Sequence, residues 1–143
     1  MRKGAKITAI CNQKGGVGKT STTVNLGIGL ARTGKRVLVA DLDSQSSLTA
    51  SLGYQQPERL TNTLASILGR LIVRKPVVPG EGIIHHAEGV DLLPANQELS
   101  GLEVTLVSAM ARETYLRMYL NSIRDQYDVI LLDCWTAARP WVC

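Results

Sequence analysis

The run Lys14-Gly15-Gly16-Val17-Gly18-Lys19-Thr20 constrains this chain more than any other feature, because an apolar strand-like segment leads into it and a helix-like segment leaves it. Glycines there let consecutive backbone N–H groups turn inward around a polyphosphate, and the helix that follows adds its positive end. Lys19 brings a full positive charge, Thr20 offers a hydroxyl to a divalent cation, and Ser21 stands beside it. The common phosphate-loop pattern G-x-x-x-x-G-K-[ST] requires glycine at position 13, where this chain has Gln13 and then a second lysine, Lys14. The loop is therefore of a deviant kind, and a plain glycine-rich turn would not need two lysines so placed.

Strand and helix signals continue along the chain. Lys6 to Cys11 reads as a buried strand, Thr20 to Arg32 as a helix stopped by Gly34, and Val37-Leu38-Val39-Ala40 as a second buried strand with Asp41 and Asp43 at its carboxyl end. Ser47 to Leu52 and Leu60 to Leu71 read as helices, the second opening near Thr61 or Asn62. Ile83 to His86 is a short extended piece, and Val90-Asp91-Leu92-Leu93 is a strand before Pro94. Leu99, Leu102, Leu106 and Met110 share one helical face, as do Leu116, Leu120, Ile123 and Tyr127, so two helices or one interrupted helix precede the last strand, Asp128 to Asp133. Alternating strands and helices imply an α/β fold with a parallel sheet, since parallel strands need crossover helices. Asp41, Asp43 and Asp133 would then share one rim with the glycine loop.

Composition narrows the function classes. The 143 residues suffice for one domain, 45% are apolar, and no apolar run approaches the ~20 residues that span a bilayer. The basic opening residues are followed at once by the loop, which leaves no space for a secretion signal, so a cytoplasmic location is expected. Cys11, Cys134 and Cys143 form no C-x-x-C pair and suit a reducing compartment. A net charge of +4 is modest and dispersed, and with 4% aromatic residues the chain offers little for stacking bases. His85 and His86 are adjacent, so on a strand they face opposite ways and cannot clamp one metal. Arg70, Arg74 and Lys75 read as a solvated helix end rather than a phosphate contact.

The loop K-G-G-V-G-K-T resembles that of the ParA/MinD group of partitioning ATPases, whose consensus is K-G-G-x-G-K-[ST]. The segment V-L-V-A-D-L-D-S-Q-S-S-L-T is similar to the second motif of that family, and L-L-P-A-N-Q-E-L-S-G-L-E to its central connector. The resemblance implies a P-loop NTPase-like parallel sheet with flanking helices, a Mg-ATP cofactor, and a homodimer that forms with ATP. It makes Lys14 the signature lysine that reaches the nucleotide of the other subunit, and Lys14 to Ser21 the nucleotide cradle. It makes Asp43 the carboxylate that orients the attacking water. Thr20 becomes a magnesium ligand, Asp133 the Walker B aspartate that holds magnesium through water, and Asp41 a residue near that shell. Ser44 stands where the family has proline, while Gln45 is retained and implies a contact that reads the nucleotide state. A ParB-like protein and nonspecific DNA are the implied partners, with nucleoid association and no membrane contact.

The resemblance runs from about Lys6 to Cys134. The family continues with two prolines and further strands, whereas this chain reads Trp135-Thr136-Ala137-Ala138-Arg139-Pro140-Trp141-Val142-Cys143. The expectation is an incomplete nucleotide-binding domain over residues 1–134, lacking its later strands, with an unrelated tail over 135–143 from a frameshifted or truncated gene. Other functions compete: a non-catalytic nucleotide-binding remnant, a MinD-like cell-division ATPase and a nitrogenase-iron-protein-like reductase, for which paired cluster-binding cysteines are not evident.

Overall fold

A computed structural model describes residues 4–10, 19–105 and 109–134 of the chain. Its strands are β1 (Lys6–Ile10), β2 (Val37–Asp41), β3 (Ile84–His85), β4 (Val90–Leu93) and β5 (Val129–Asp133). Its helices are α1 (Lys19–Arg32), α2 (Ser47–Ser51), α3 (Leu64–Ile72), α4 (Glu98–Thr105) and α5 (Ala109–Ile123). One five-stranded sheet has the order β1-β5-β2-β4-β3. The first four strands run parallel, and β5 lies between β1 and β2. That insertion sets Asp41 opposite Asp133 and Ile10 opposite Asp133 in register, so three strand ends meet at one rim.

Successive strand residues point to opposite faces, and both faces here are covered. Leu38, Ala40, Leu93, Ile130 and Leu132 face a core built with Leu64, Ile67 and Leu68 of α3, Leu99 of α4 and Leu116, Leu120 and Ile123 of α5. Val37, Val39, Val90, Leu92 and Leu131 face the other way, onto Leu48 and Leu52 and the partly buried Val24, Ile28 and Ala31 of α1. The continuous apolar runs in the sequence are explained by this double burial.

The expected α/β fold with a mainly parallel sheet and flanking helices is present, and two helix expectations need correction. At the sheet edge β3 pairs antiparallel with β4, Ile84 opposite Leu92. Only four residues separate these strands, too few for a crossover, and a turn closes them through Gly89 N–H to His86 O at 3.0 Å. The helix read as Leu60 to Leu71 begins at Leu64 instead, after a single 3-10 turn at Pro57–Arg59. Thr63 takes the extended conformation of a helix cap, its N–H donates to Ser66 Oγ at 2.9 Å, and Leu64 N–H docks on Pro94 O at 2.8 Å. Tyr127 is not on the α5 face, because the chain leaves α5 through the 3-10 turn Arg124–Gln126 and is extended by Tyr127. Leu106 and the tail 135–143 lie outside the described residues, as does the side chain of Met110.

Candidate functional site

The carboxyl rim of β1, β5 and β2 faces the first turns of α1. Thr20 and Thr23 are three residues apart and therefore share one helix face. Thr20 Oγ1 donates to Asp133 Oδ2 at 3.1 Å, and Thr23 Oγ1 donates to Asp133 Oδ1 at 3.1 Å. Residues 113 positions apart are thus joined where β5 ends, and Thr23 and Asp133 are both wholly buried. The helix can come this close because Gly27 lies against the sheet: a Cβ on Gly27 would sit 2.9 Å from Val39 Cγ1.

Asp41 emerges beside Asp133 and is itself wholly buried. Its Oδ1 accepts Asp43 N–H at 3.1 Å, and its Oδ2 accepts both the N–H and the hydroxyl of Thr49, at 3.0 and 2.7 Å. Burial pushes its pKa up to about 7, although these hydrogen bonds pull the other way and Asp133 adds a smaller push. The residue expected near a magnesium shell is thus committed, at both oxygens, to holding α2 and the chain that carries Asp43.

Asp43 lies in a tight turn directly after β2. Its Oδ1 accepts Gln45 N–H at 2.9 Å and its carbonyl accepts Ser46 N–H at 2.9 Å. Leu42 N–H, one residue earlier, donates to Asp133 O at 3.0 Å, which brings the Asp43 turn to the same rim as the Thr20 and Thr23 pair. Asp43 is 8% exposed, so it is reached from solvent only narrowly. Ser21 is exposed on the outside of α1. Lys14 to Gly18 lie outside the described residues, and Lys19 is described only as the first residue of α1.

No group of three His, Cys, Asp or Glu side chains forms a metal cage among the described residues. Magnesium does not need one, because it keeps several waters and takes one or two protein oxygens together with substrate phosphates. A hydroxyl hydrogen-bonded to a buried carboxylate, as Thr20 is to Asp133, is a donor set of that kind. Among the described residues no helix is long and apolar enough to cross a membrane.

The opposite rim holds a cavity of about 320 Å³ lined by Lys35, Arg36, His85, Asp91 and Tyr127. Asp91 accepts from Tyr127 at 2.6 Å and pairs with His85 Nδ1 at 2.5 Å, a link that ties β3 to the start of β5. Arg36 is matched by Asp128 through its backbone N–H at 2.8 Å, so fixed charges of both signs balance there. His86 turns away, its Nδ1 accepting Glu88 N–H at 3.0 Å. Arg70 is turned onto Glu81 rather than toward solvent.

Sequence reasoning missed Thr23, Ser46, Thr49 and Ala95. Thr23 could have been found, because three-residue spacing from Thr20 places it over the same strand end. The other three meet only through the docking of β4 beside β2.

A family model described as an AAA domain matches residues 5–138. Sporulation initiation inhibitor protein Soj of Bacillus subtilis is 40% identical over 129 residues, covering 90% of this chain and 49% of Soj. The chromosome partitioning protein ParA of Caulobacter vibrioides is 39% identical over 131 residues, covering 90% of this chain and 47% of its own length. Among solved structures, cobyrinic acid a,c-diamide synthase from Mycobacterium smegmatis with bound ADP and magnesium superposes with a TM-score of 0.80 at 36% identity, covering 93% of this chain and 52% of the synthase. The chain spans about half the length of the curated relatives it matches.

Proposed function

Because this chain belongs to the AAA domain family and is ParA-like within it, we propose that it binds Mg-ATP at the carboxyl rim and hydrolyses it in a dimer-dependent switch of chromosome or plasmid partitioning. The observation that carries this reading is the 3.1 Å hydrogen bond from Thr20 to Asp133, which joins the end of the glycine-rich loop to the end of β5. A phosphate loop needs that junction, since the hydroxyl that meets the metal must be oriented by a fixed acceptor. Bound magnesium would supply neutralisation of charge on the phosphate oxygens.

The rest of the chemistry falls to side chains. Backbone N–H groups of Gly15, Gly16, Val17 and Gly18 cradle phosphate oxygens, with Lys19 neutralising charge and Thr20 and Ser21 opening α1 beneath them. Asp43 orients the attacking water and takes its proton, a role suited to a carboxylate held in a turn at 8% exposure. Lys14 reaches the nucleotide of a second copy. Asp133 holds Thr20 and would help to hold the cation when it is bound, while Asp41 acts by anchoring the Asp43 turn. A ParB-like protein and nonspecific DNA are the proposed partners, in the cytoplasm and at the nucleoid. The names of Soj and ParA support this assignment over a MinD-like one.

Calorimetry with Mg-ATP on the 143-residue chain tests the reading, with Lys19→Ala as control and phosphate release measured in parallel. Binding that Lys19→Ala abolishes, with turnover that Asp43→Ala abolishes, is the expected result. Failure of the unmutated chain to bind Mg-ATP would overturn it, and binding without turnover would leave a nucleotide-binding module rather than an enzyme.

A further inference from the structure

Ser46 adopts a backbone that its side chain does not favour. Its φ of 62° and ψ of 31° lie in the left-handed region, which glycine occupies freely and a β-carbon disfavours. Gln45 N–H and Ser46 N–H both fold back on Asp43, so the turn demands this shape. A serine held there, 4% exposed, needs a compensating contact. Ser46 Oγ lies 2.9 Å from Ala95 O, a buried hydrogen bond across 49 residues, and 3.3 Å from Ser44 O.

Ala95 follows β4 after Pro94 and is wholly buried. Its N–H donates to Thr49 Oγ1 at 3.1 Å, and that hydroxyl donates onward to Asp41 Oδ2. Both polar groups of one residue, Ala95, are therefore taken by side chains from the Asp43 turn and α2. The next residue, Asn96, opens α4 by accepting Glu98 N–H on its side chain at 3.1 Å and Leu99 N–H on its carbonyl at 3.1 Å. Hydrogen bonds, joined through the Ala95–Asn96 peptide link, lead from Asp43 to the start of α4.

We propose that Ser46 is a positioning residue for Asp43: its hydroxyl ties the turn carrying Asp43 to the β4–α4 connector, so that the place of the Asp43 carboxylate on the rim follows the position of α4. This rests on the reading of Asp43 as the group that orients water. Glycine at 46 would take the same turn without strain and without the tie. Asparagine tolerates the left-handed region and brings an N–H donor to the same side. Stability and positioning are thereby separable in one residue.

The test compares the 143-residue chain with Ser46→Gly and Ser46→Asn by amide exchange, melting temperature and phosphate release. In Ser46→Gly the melting temperature holds or rises, while exchange at Gln45 and Ser46 accelerates about tenfold as the turn opens more often. Its kcat falls about tenfold with KM for ATP unchanged, as for a misplaced group rather than lost binding. Ser46→Asn restores both protection and kcat. Unchanged exchange in Ser46→Gly would overturn the proposal, as would a general loss of protection across the chain, which marks a purely structural bond. Should the unmutated chain bind Mg-ATP but release no phosphate, the catalytic reading of Asp43 fails, and exchange with its rescue by asparagine still decides whether Ser46 positions the turn.

Discussion

Thr23 Oγ1 stands 3.1 Å from Asp133 Oδ1, on the far side of the carboxylate from Thr20. One face of α1 therefore grips both oxygens of the residue that ends β5. The rim is consequently as well ordered as the packing of α1 against the sheet, and no better.

Thr23→Val keeps the shape of the side chain and removes the buried donor. Loss of one hydrogen bond to a buried carboxylate costs about 1–3 kcal/mol, read as a lower urea midpoint. With the Thr23 donor gone the carboxylate is held less firmly against Thr20, so Mg-ATP binding weakens about tenfold, which corresponds to ~1.4 kcal/mol. A midpoint and an affinity both unchanged would show that the Thr23 hydrogen bond is not needed to hold Asp133 in place.

Gly27→Ala and Gly29→Ala should act in opposite directions although both sit in α1. Alanine gains up to about 1 kcal/mol in helix propensity at either position. At Gly29 nothing lies within 4 Å of the new methyl, so the gain is realised. At Gly27 the methyl meets Val39 Cγ1 at 2.9 Å, with Leu131 and Val90 each 3.7 Å away. Val39 is in the middle of the sheet and cannot yield, so overpacking of about 1–3 kcal/mol outweighs the propensity gain. Thermal denaturation of the two variants checks the signs, and Mg-ATP binding should fall for Gly27→Ala alone because α1 is pushed off Asp133.

The sheet strands were legible because residues such as Leu38 and Val39 are buried on opposite faces, which demands an unbroken apolar run. The start of α3 was not, since Thr61, Asn62 and Thr63 are equal as caps in sequence and only the bond from Leu64 N–H to Pro94 O selects among them. The direction of β3 was hidden for a similar reason: a two-residue strand takes its sense from the four-residue turn to β4. At the site, the strand-and-helix pattern set Asp41, Asp43 and Asp133 on one rim with the glycine loop, where Thr20 meets Asp133. The hydrogen bonds that Asp41 accepts from Thr49 were not legible, because a carboxylate at a strand end looks the same in sequence whatever its partners. The contact between Ser46 and Ala95 left no trace, the two residues being 49 positions apart.

Asp41 should make stability fall as pH rises through the acid range. Burial raises its folded pKa from 3.8 to about 7, so between those values the folded chain holds a proton that the unfolded chain has released. Folded protein then binds more protons than unfolded, and the unfolding free energy declines with pH by at most about 1.4 kcal/mol per unit. The group's contribution is largest near pH 4, decreases toward pH 7 and is constant above. Urea titrations from pH 4.5 to 8 on the unmutated chain and Asp41→Asn should differ in slope below pH 7 and run parallel above it. Parallel curves throughout would mean that Asp41 is ionised across the range.

Tyr127→Phe should weaken the fold and spare the nucleotide rim. The Tyr127 hydroxyl, 2.6 Å from Asp91 Oδ2, is one of two partners that hold a carboxylate between β4 and the entry to β5. Burial, reinforced by the hydrogen bond to Asp91 and its charge, pushes the phenol well above its ordinary range, so the donor keeps its proton wherever the fold persists. Deleting it leaves Asp91 with His85 and forfeits about 1.5–3 kcal/mol, the usual size for a bond to a charged partner. The two proteins should also diverge above about pH 10, where only an unfolded tyrosine ionises and the unmutated chain alone loses stability from this group. Asp91 stands at the amino-terminal side of the sheet, opposite the ends of β5 and β2 where Thr20 meets Asp133. Mg-ATP affinity per folded molecule is accordingly expected to be the same in both, and a drop in affinity larger than the unfolded fraction explains would show that the two rims are coupled through the sheet.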